Sequence, residues 1–278
     1  MDEINDIHED GFSLLKDHRS SSYRDDAKAK LKALFDVNRR EVYYVRQLQV
    51  MFEEEIFHWI THQAIIELEG EKYLKRIVKS FNMSESSTLL HFFAHHTNRY
   101  AERQANNLTK LIEEYSQSHI TEGCGNRAEL LFAAGLAERG FMPIGRSLKS
   151  YRGREWTETG HNLDFIFEKD GIAYGCEIKN QLPYIGKELL QVKLEICDYL
   201  QLRPLLIMRY APKTFIYEIQ RAGGYAMIFE AQIYELGQRV LVEKMRKTFG
   251  KNKADSPRAI PAGIIDRFER WHNKHRNP

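Results

Sequence analysis

The stretch HNLDFIFEKDGIAYGCEIKN, residues 161–180, decides how the second half of the chain is read. Leu163, Phe165 and Phe167 alternate with Asp164, Ile166 and Glu168. Ile172, Tyr174, Cys176 and Ile178 alternate with Ala173, Gly175, Glu177 and Lys179. A period of two is the mark of a strand. Between the two runs sits Asp170-Gly171, a favoured pair for a two-residue type I′ turn. That turn pairs Lys169 with Ile172, and counting outward sets Asp164 opposite Glu177. Lys179 then shares their face. A three-residue turn would shift the register by one. Like charges set directly across a ladder destabilise it. A divalent cation is the obvious candidate to offset that cost.

Working outward, RAELLFAAGLAERG (127–140) predicts a helix with Leu130, Leu131, Ala134 and Leu136 or Ala137 buried, closed by Gly140. FMPIGRSLK predicts an edge strand, because Pro143 cannot donate to a ladder. After Pro183, residues 186–201 predict a helix with Leu189, Val192, Ile196 and Leu200 on one side. Residues 203–211 predict a buried strand, 213–223 a helix and 225–236 a further strand. Helix, three strands, helix, strand, helix, strand makes a mixed α/β sandwich.

The 278 residues are 42% hydrophobic and 29% charged, with a formal net charge of +2. A globular chain with a real core follows. The charge is too small to argue for nucleic acid by itself. Three cysteines without metal-ligand spacing, two of them in apolar patterns, predict a reducing compartment. No apolar run approaches a membrane span, and the acidic start lacks a signal core. These features predict a cytoplasmic protein with no membrane partner.

Asp164, Glu177 and Lys179 form an Asp-x12-Glu-x-Lys pattern, and Glu129 precedes it in the first turn of a helix. Carboxylates on adjacent strands are hard oxygen ligands suited to Mg²⁺ or Mn²⁺. A Glu-x-Lys strand alone is usually a solvated face, but the apolar neighbours Leu163, Phe165, Gly175 and Ile178 imply burial, where unpaired carboxylates are costly. The set resembles the PD-(D/E)XK superfamily, the restriction-endonuclease-like nucleases, over roughly residues 125 to 235. Its spacing looks most like the Mrr-like and Holliday-junction-resolvase branches. The chain departs from the name pattern in having Leu163 where a Pro precedes the Asp. The resemblance implies metal-dependent hydrolysis of DNA phosphodiesters. Asp164 and Glu177 would hold the metal, Glu129 would assist, and Lys179 would sit near the attacking water. Gln181, projecting to the same face if the strand continues, would contact phosphate or nucleophile. Lys187 and Lys193 on the next helix would touch backbone phosphate, against the simpler reading of solvated helix charge.

The first half reads differently. Residues 1–24 form a polar arm, and residues 25–96 run helix, strand, helix, helix, hairpin, the order of a winged helix-turn-helix. Its second paired helix (57–70) would be the recognition helix, offering His58, Thr61, His62 and Gln63 to base edges. Lys72, Lys75 and Arg76 would meet phosphates, with Arg46 and Lys79. Winged helices also serve as protein-interaction modules, and Glu53, Glu54 and Glu55 would repel DNA if they faced it. His91, His95 and His96 lack the partners of a metal site. A connecting helix spans 97–120. The second domain spans 121–239, its boundary set at the glycines of TEGCGN (121–126), and a basic helical extension fills 240–278.

The expected protein is therefore a metal-dependent DNA endonuclease of restriction, defence or DNA processing, acting as a homodimer. Two alternatives stand beside it: a DNA-binding regulator with a catalytically silent nuclease-like domain, and a nuclease acting on RNA.

Overall fold

The computed structural model describes residues 18–83 and 86–276. The chain divides into two compact units, Met1–Gln117 and Ser118–Pro278.

In the first unit the elements are α1 (His18–Val37), β1 (Val42–Tyr44), α2 (Val45–Phe52), α3 (His58–Gly70), β2 (Leu74–Met83), β3 (Ser86–His95) and α4 (Ala101–Ser116). Ala27, Leu31 and Phe35 recur every four residues on α1, as Ile60, Ala64 and Leu68 do on α3. Both stripes are buried in one core with Leu48, Leu74 and Phe93. The strands form an antiparallel sheet in the order β1-β3-β2. Of the arm expected over residues 1–24, residues 18–24 are already helical, and the remainder lies outside the described residues.

The second unit begins with α5 (Ser118–Glu138) and β4 (Met142–Leu148). A short ribbon of β5 (Ser150–Tyr151) and β6 (Arg154–Glu155) leads to β7 (Leu163–Lys169) and β8 (Ile172–Lys179). Then follow α6 (Lys187–Tyr199), β9 (Arg203–Met208), α7 (Lys213–Arg221), β10 (Tyr225–Ile228), β11 (Gln232–Ile233), α8 (Arg239–Phe249), β12 (Ala254–Asp255) and α9 (Ala262–His275). The main sheet has the order β10-β9-β8-β7-β4. β4, β7 and β8 are antiparallel neighbours, whereas β8, β9 and β10 run parallel. The sheet is mixed and helices pack on it, and β4 with Pro143 is indeed an edge strand.

The turn between β7 and β8 is the predicted one. Asp170 and Gly171 have φ of +51° and +77°, the two positive angles a type I′ turn demands. Lys169 pairs with Ile172 and Phe165 with Cys176. On one face Phe165, Phe167, Tyr174 and Cys176 join Ala128, Leu131, Phe132 and Leu136 of α5 and Ile265 and Phe268 of α9. On the other, Ile166 meets Ile196, Cys197 and Leu200. Gly175 allows that second contact: a Cβ there would stand 2.6 Å from the Cys197 Sγ and 2.8 Å from Leu163.

Two features differ from the expected pattern. The glycines of 121–126 do not break the chain, since α5 runs through them and the helical path is interrupted instead at Gln117 (ψ 140°). On α5, Leu130 is 61% exposed and Ala134 also faces outward, while Ala128, Leu131, Phe132 and Leu136 are buried. The helix is apolar on several sides, so its sequence does not single out one stripe. Residues 240–278 hold helices, as expected, and α9 among them joins the core beneath the sheet.

Candidate active site

Continuing the β7–β8 register by one residue sets Asp164 against Glu177, as the hairpin predicted. The Ile178 N–H donates to Asp164 Oδ2 at 2.7 Å, tying the carboxylate to the facing strand. Glu177 is 1% exposed. Its Oε1 lies 2.7 Å from Lys179 Nζ and its Oε2 2.6 Å from Lys193 Nζ. These are ion pairs without hydrogen-bond alignment, so both oxygens are sealed from solvent with lone pairs poorly used.

Lys193 is the surprise. Expected on the outside of its helix near phosphate, it is 4% exposed and points into the site. Its ammonium also donates to the Asn162 carbonyl. Lys187 stays exposed at the start of α6. Glu129 is half-buried and held by Arg146 of β4, whose Nε and Nη2 lie 2.9 and 2.7 Å from one carboxylate oxygen. The same guanidinium donates to Asn126 Oδ1 at 2.7 Å. Asp164, Glu177, Lys179 and Lys193 therefore form one cluster, with Glu129 beside it in an ion pair of its own. Among the described residues, no three His, Cys, Asp or Glu side chains converge as a metal-binding group.

The chain just beyond the cluster is pinned. β8 ends at Lys179, so Gln181 lies in a bend rather than on a continued strand. Asn180 Nδ2 donates to the carbonyls of Cys124 and Ile233 at 2.9 and 2.6 Å, and its Oδ1 accepts from Ile233 N–H at 2.7 Å. Buried Arg209 donates through Nε to the Gln181 and Leu182 carbonyls at 3.2 and 3.1 Å. His161 is exposed at the approach to β7.

Burial, then the repulsion of Glu177, pushes the Asp164 carboxyl from 3.8 up to about 6; the Ile178 N–H and the charge of Lys179 only partly restrain it. For Lys179, burial lowers proton affinity, but Glu177 and Asp164 outweigh it and the ammonium is held above its ordinary value. Lys179 is therefore a fixed cation at neutral pH, not a proton acceptor.

The Asp164 shift has a stability consequence. Its folded pKa lies above its unfolded one, so ionised Asp164 costs stability above about pH 6, and the cost fades as pH falls towards 3.8. Two units correspond to about 3 kcal/mol at most. Asp164→Asn keeps an oxygen for the Ile178 N–H. It should raise the urea midpoint at pH 8, with the gain shrinking towards zero near pH 4. Equal gain at both pH values would disprove this origin.

In the first unit, two of the expected base-reading residues face inward. His58 is 5% exposed, with Nε2 3.3 Å from Glu53 Oε2. Thr61 is fully buried and donates to the Phe57 carbonyl at 3.3 Å. Neither reaches a groove from this position. His62 and Gln63 are half-exposed and Lys72 is exposed. Lys75 donates to the Asn98 carbonyl and Arg76 pairs with Glu69. Lys79 pairs with Glu102 at 2.6 Å. His95 and His96 rings lie 4.3 Å apart, with His95 Nδ1 2.7 Å from Thr97 Oγ1.

Compared with protein-family models, curated proteins and solved structures, the chain matches none. No helix among the described residues is long and apolar enough to cross a membrane.

Proposed function

We propose that the second unit is a metal-dependent endonuclease domain of the restriction-endonuclease-like type and that the first is a winged helix that brings it to DNA. The observation that carries the reading is buried Glu177 facing half-buried Asp164 across β7 and β8, with Lys179 on the same face. A helix, three antiparallel strands, a helix and a parallel strand surround it in the expected order. The donor set fits a hard cation: two carboxylate side chains, one with both oxygens unaligned and the other with proton affinity raised by burial first and by its negative neighbour second. When bound, Mg²⁺ or Mn²⁺ would acidify a water and offset charge on the phosphoryl group. Asp164 and Glu177 hold that ion, Lys179 offers a permanent positive charge to the phosphate, and Glu129 assists once Arg146 releases it. The pinning by Asn180 and Arg209 keeps the end of β8 rigid. Cutting both strands needs two such sites, which favours a homodimer.

Purified full-length protein with supercoiled plasmid and with branched DNA, in Mg²⁺, Mn²⁺ or EDTA, tests this. Metal-dependent nicking, lost in Asp164→Ala and Lys179→Ala, is the expected result. Binding of duplex DNA without cleavage under any of these conditions would instead support the regulator. One observation favours that second reading. The two carboxylates of the cluster are matched by two lysines, and Glu129 by Arg146, so the clustered charge is balanced without a metal. A single-stranded RNA arm in the same assay separates RNA from DNA as the phosphodiester attacked.

A further inference from the structure

The position of Lys193 deepens the proposed metal-site reading and rests on it. Lys193 lies mid-way along α6 between Leu190, Leu194 and Cys197, all turned inward. A lysine in that stripe gives up its hydration and most of its rotamer freedom. What it gains is Glu177 Oε2 at 2.6 Å and the Asn162 carbonyl. Yet Glu177 already has a cation, Lys179, at its other oxygen. A single carboxylate does not need two ammonium groups. Asp164, facing Glu177 across the hairpin, supplies the second negative charge of the cluster. Two carboxylates and two lysines then cancel, and the cluster is neutral with no ion bound. A divalent ion entering on Asp164 and Glu177 meets an ammonium already placed where it must coordinate.

We propose that Lys193 is the site's built-in counter-cation, holding Glu177 Oε2 until a divalent ion displaces its ammonium, and that it thereby sets how tightly the site binds metal. With the ion in place the cluster carries two surplus positive charges, and the phosphates of a nucleic acid are the anions that offset them. Metal loading is thus weak alone and favoured by the substrate.

Mn²⁺ binding to the full chain, read from the paramagnetic resonance signal of free Mn²⁺, tests this without any cleavage assay. Lys193→Met should bind Mn²⁺ more tightly than the unsubstituted protein by on the order of tenfold, as removal of an adjacent like charge does for a proton. Lys193→Arg, which keeps the charge, should stay at the original affinity, and the tighter binding should vanish in Asp164→Asn/Lys193→Met. If Lys193→Met does not fold, as circular dichroism would show, Lys193→Gln replaces it in the same comparison with Lys193→Arg. Unchanged or weaker binding in the neutral variants overturns the counter-cation role while leaving the metal site standing. No Mn²⁺ binding in any of the proteins overturns both.

Discussion

Glu177→Gln should abolish plasmid cleavage, lowering the rate by at least about a thousandfold, or ~4 kcal/mol in the barrier. The reason is geometric. Glu177 is the one acidic side chain of the cluster that is wholly enclosed, and each of its oxygens lies beside an ammonium group. An amide there offers one weak oxygen donor and directs an N–H at whatever cation remains. The same change also strands Lys193, which is 4% exposed and would lose the carboxylate it pairs with. Removing one partner of a buried pair is costly, of the order of 3 kcal/mol. Lost activity could then be confused with lost fold. Glu177→Gln/Lys193→Met removes both charges and should recover most of the stability in a urea titration, with no recovery of cleavage. If the double variant cuts plasmid, Glu177 is not part of the catalytic machinery. If it regains no stability, the Lys193 contact is worth little to the fold.

What could be read from the sequence follows from where local chemistry alone decides the outcome. The Asp170-Gly171 turn fixes its register through positive φ angles, and the register fixes which carboxylates meet. Pro143 announces its edge strand for the same kind of reason, a missing donor. Tertiary context decides the rest. Glycines 123 and 125 each cost a helix interior about 1 kcal/mol, too little to stop α5 when Cys124, Ala128 and Phe132 are buried along it. Polarity alone predicts Lys193, His58 and Thr61 on the outside of their helices. Their spacing said otherwise: Lys193 falls in step with Leu190, Leu194 and Cys197, and His58 and Thr61 with Ile65 and Leu68. Periodicity was the better guide than polarity in both helices. Arg146 carried no such signal, because its partner Glu129 is seventeen positions away and only the edge strand brings them together. Arg209 had a faint one, a charge at the end of the apolar run RPLLIM, where its guanidinium folds back onto chain carbonyls.

The C-terminal helix supplies the largest stability effect. Phe268 is fully buried and stacks on Phe141 with ring centroids 4.7 Å apart, edge-on to Tyr174 at 5.2 Å. Truncating a buried aromatic typically costs 3–5 kcal/mol, the transfer loss plus the cavity. Phe268→Ala should therefore lower the unfolding free energy by about 4 kcal/mol, a large part of what holds a domain folded. A basic tail held only by charge would behave differently, since an exposed ion pair contributes at most ~1 kcal/mol. Arg139→Ala makes the comparison, because it breaks the half-exposed contact to Asp266 of α9 at 2.8 Å and leaves the rings untouched. It should move the midpoint of the same urea titration far less than Phe268→Ala does. A polar link also joins α9 to the hairpin: enclosed His272 has Nδ1 2.8 Å from Tyr174 Oη and Nε2 3.2 Å from Asp170 Oδ2. Tyr174 and Asp170 belong to the hairpin that carries Glu177, so α9 clamps the turn end of the strands whose other end bears the cluster. Phe268→Ala should consequently slow cleavage as well as weaken the fold, while Arg139→Ala leaves cleavage near its original rate. Equal stability losses in the two variants would mean that α9 is an appendage after all.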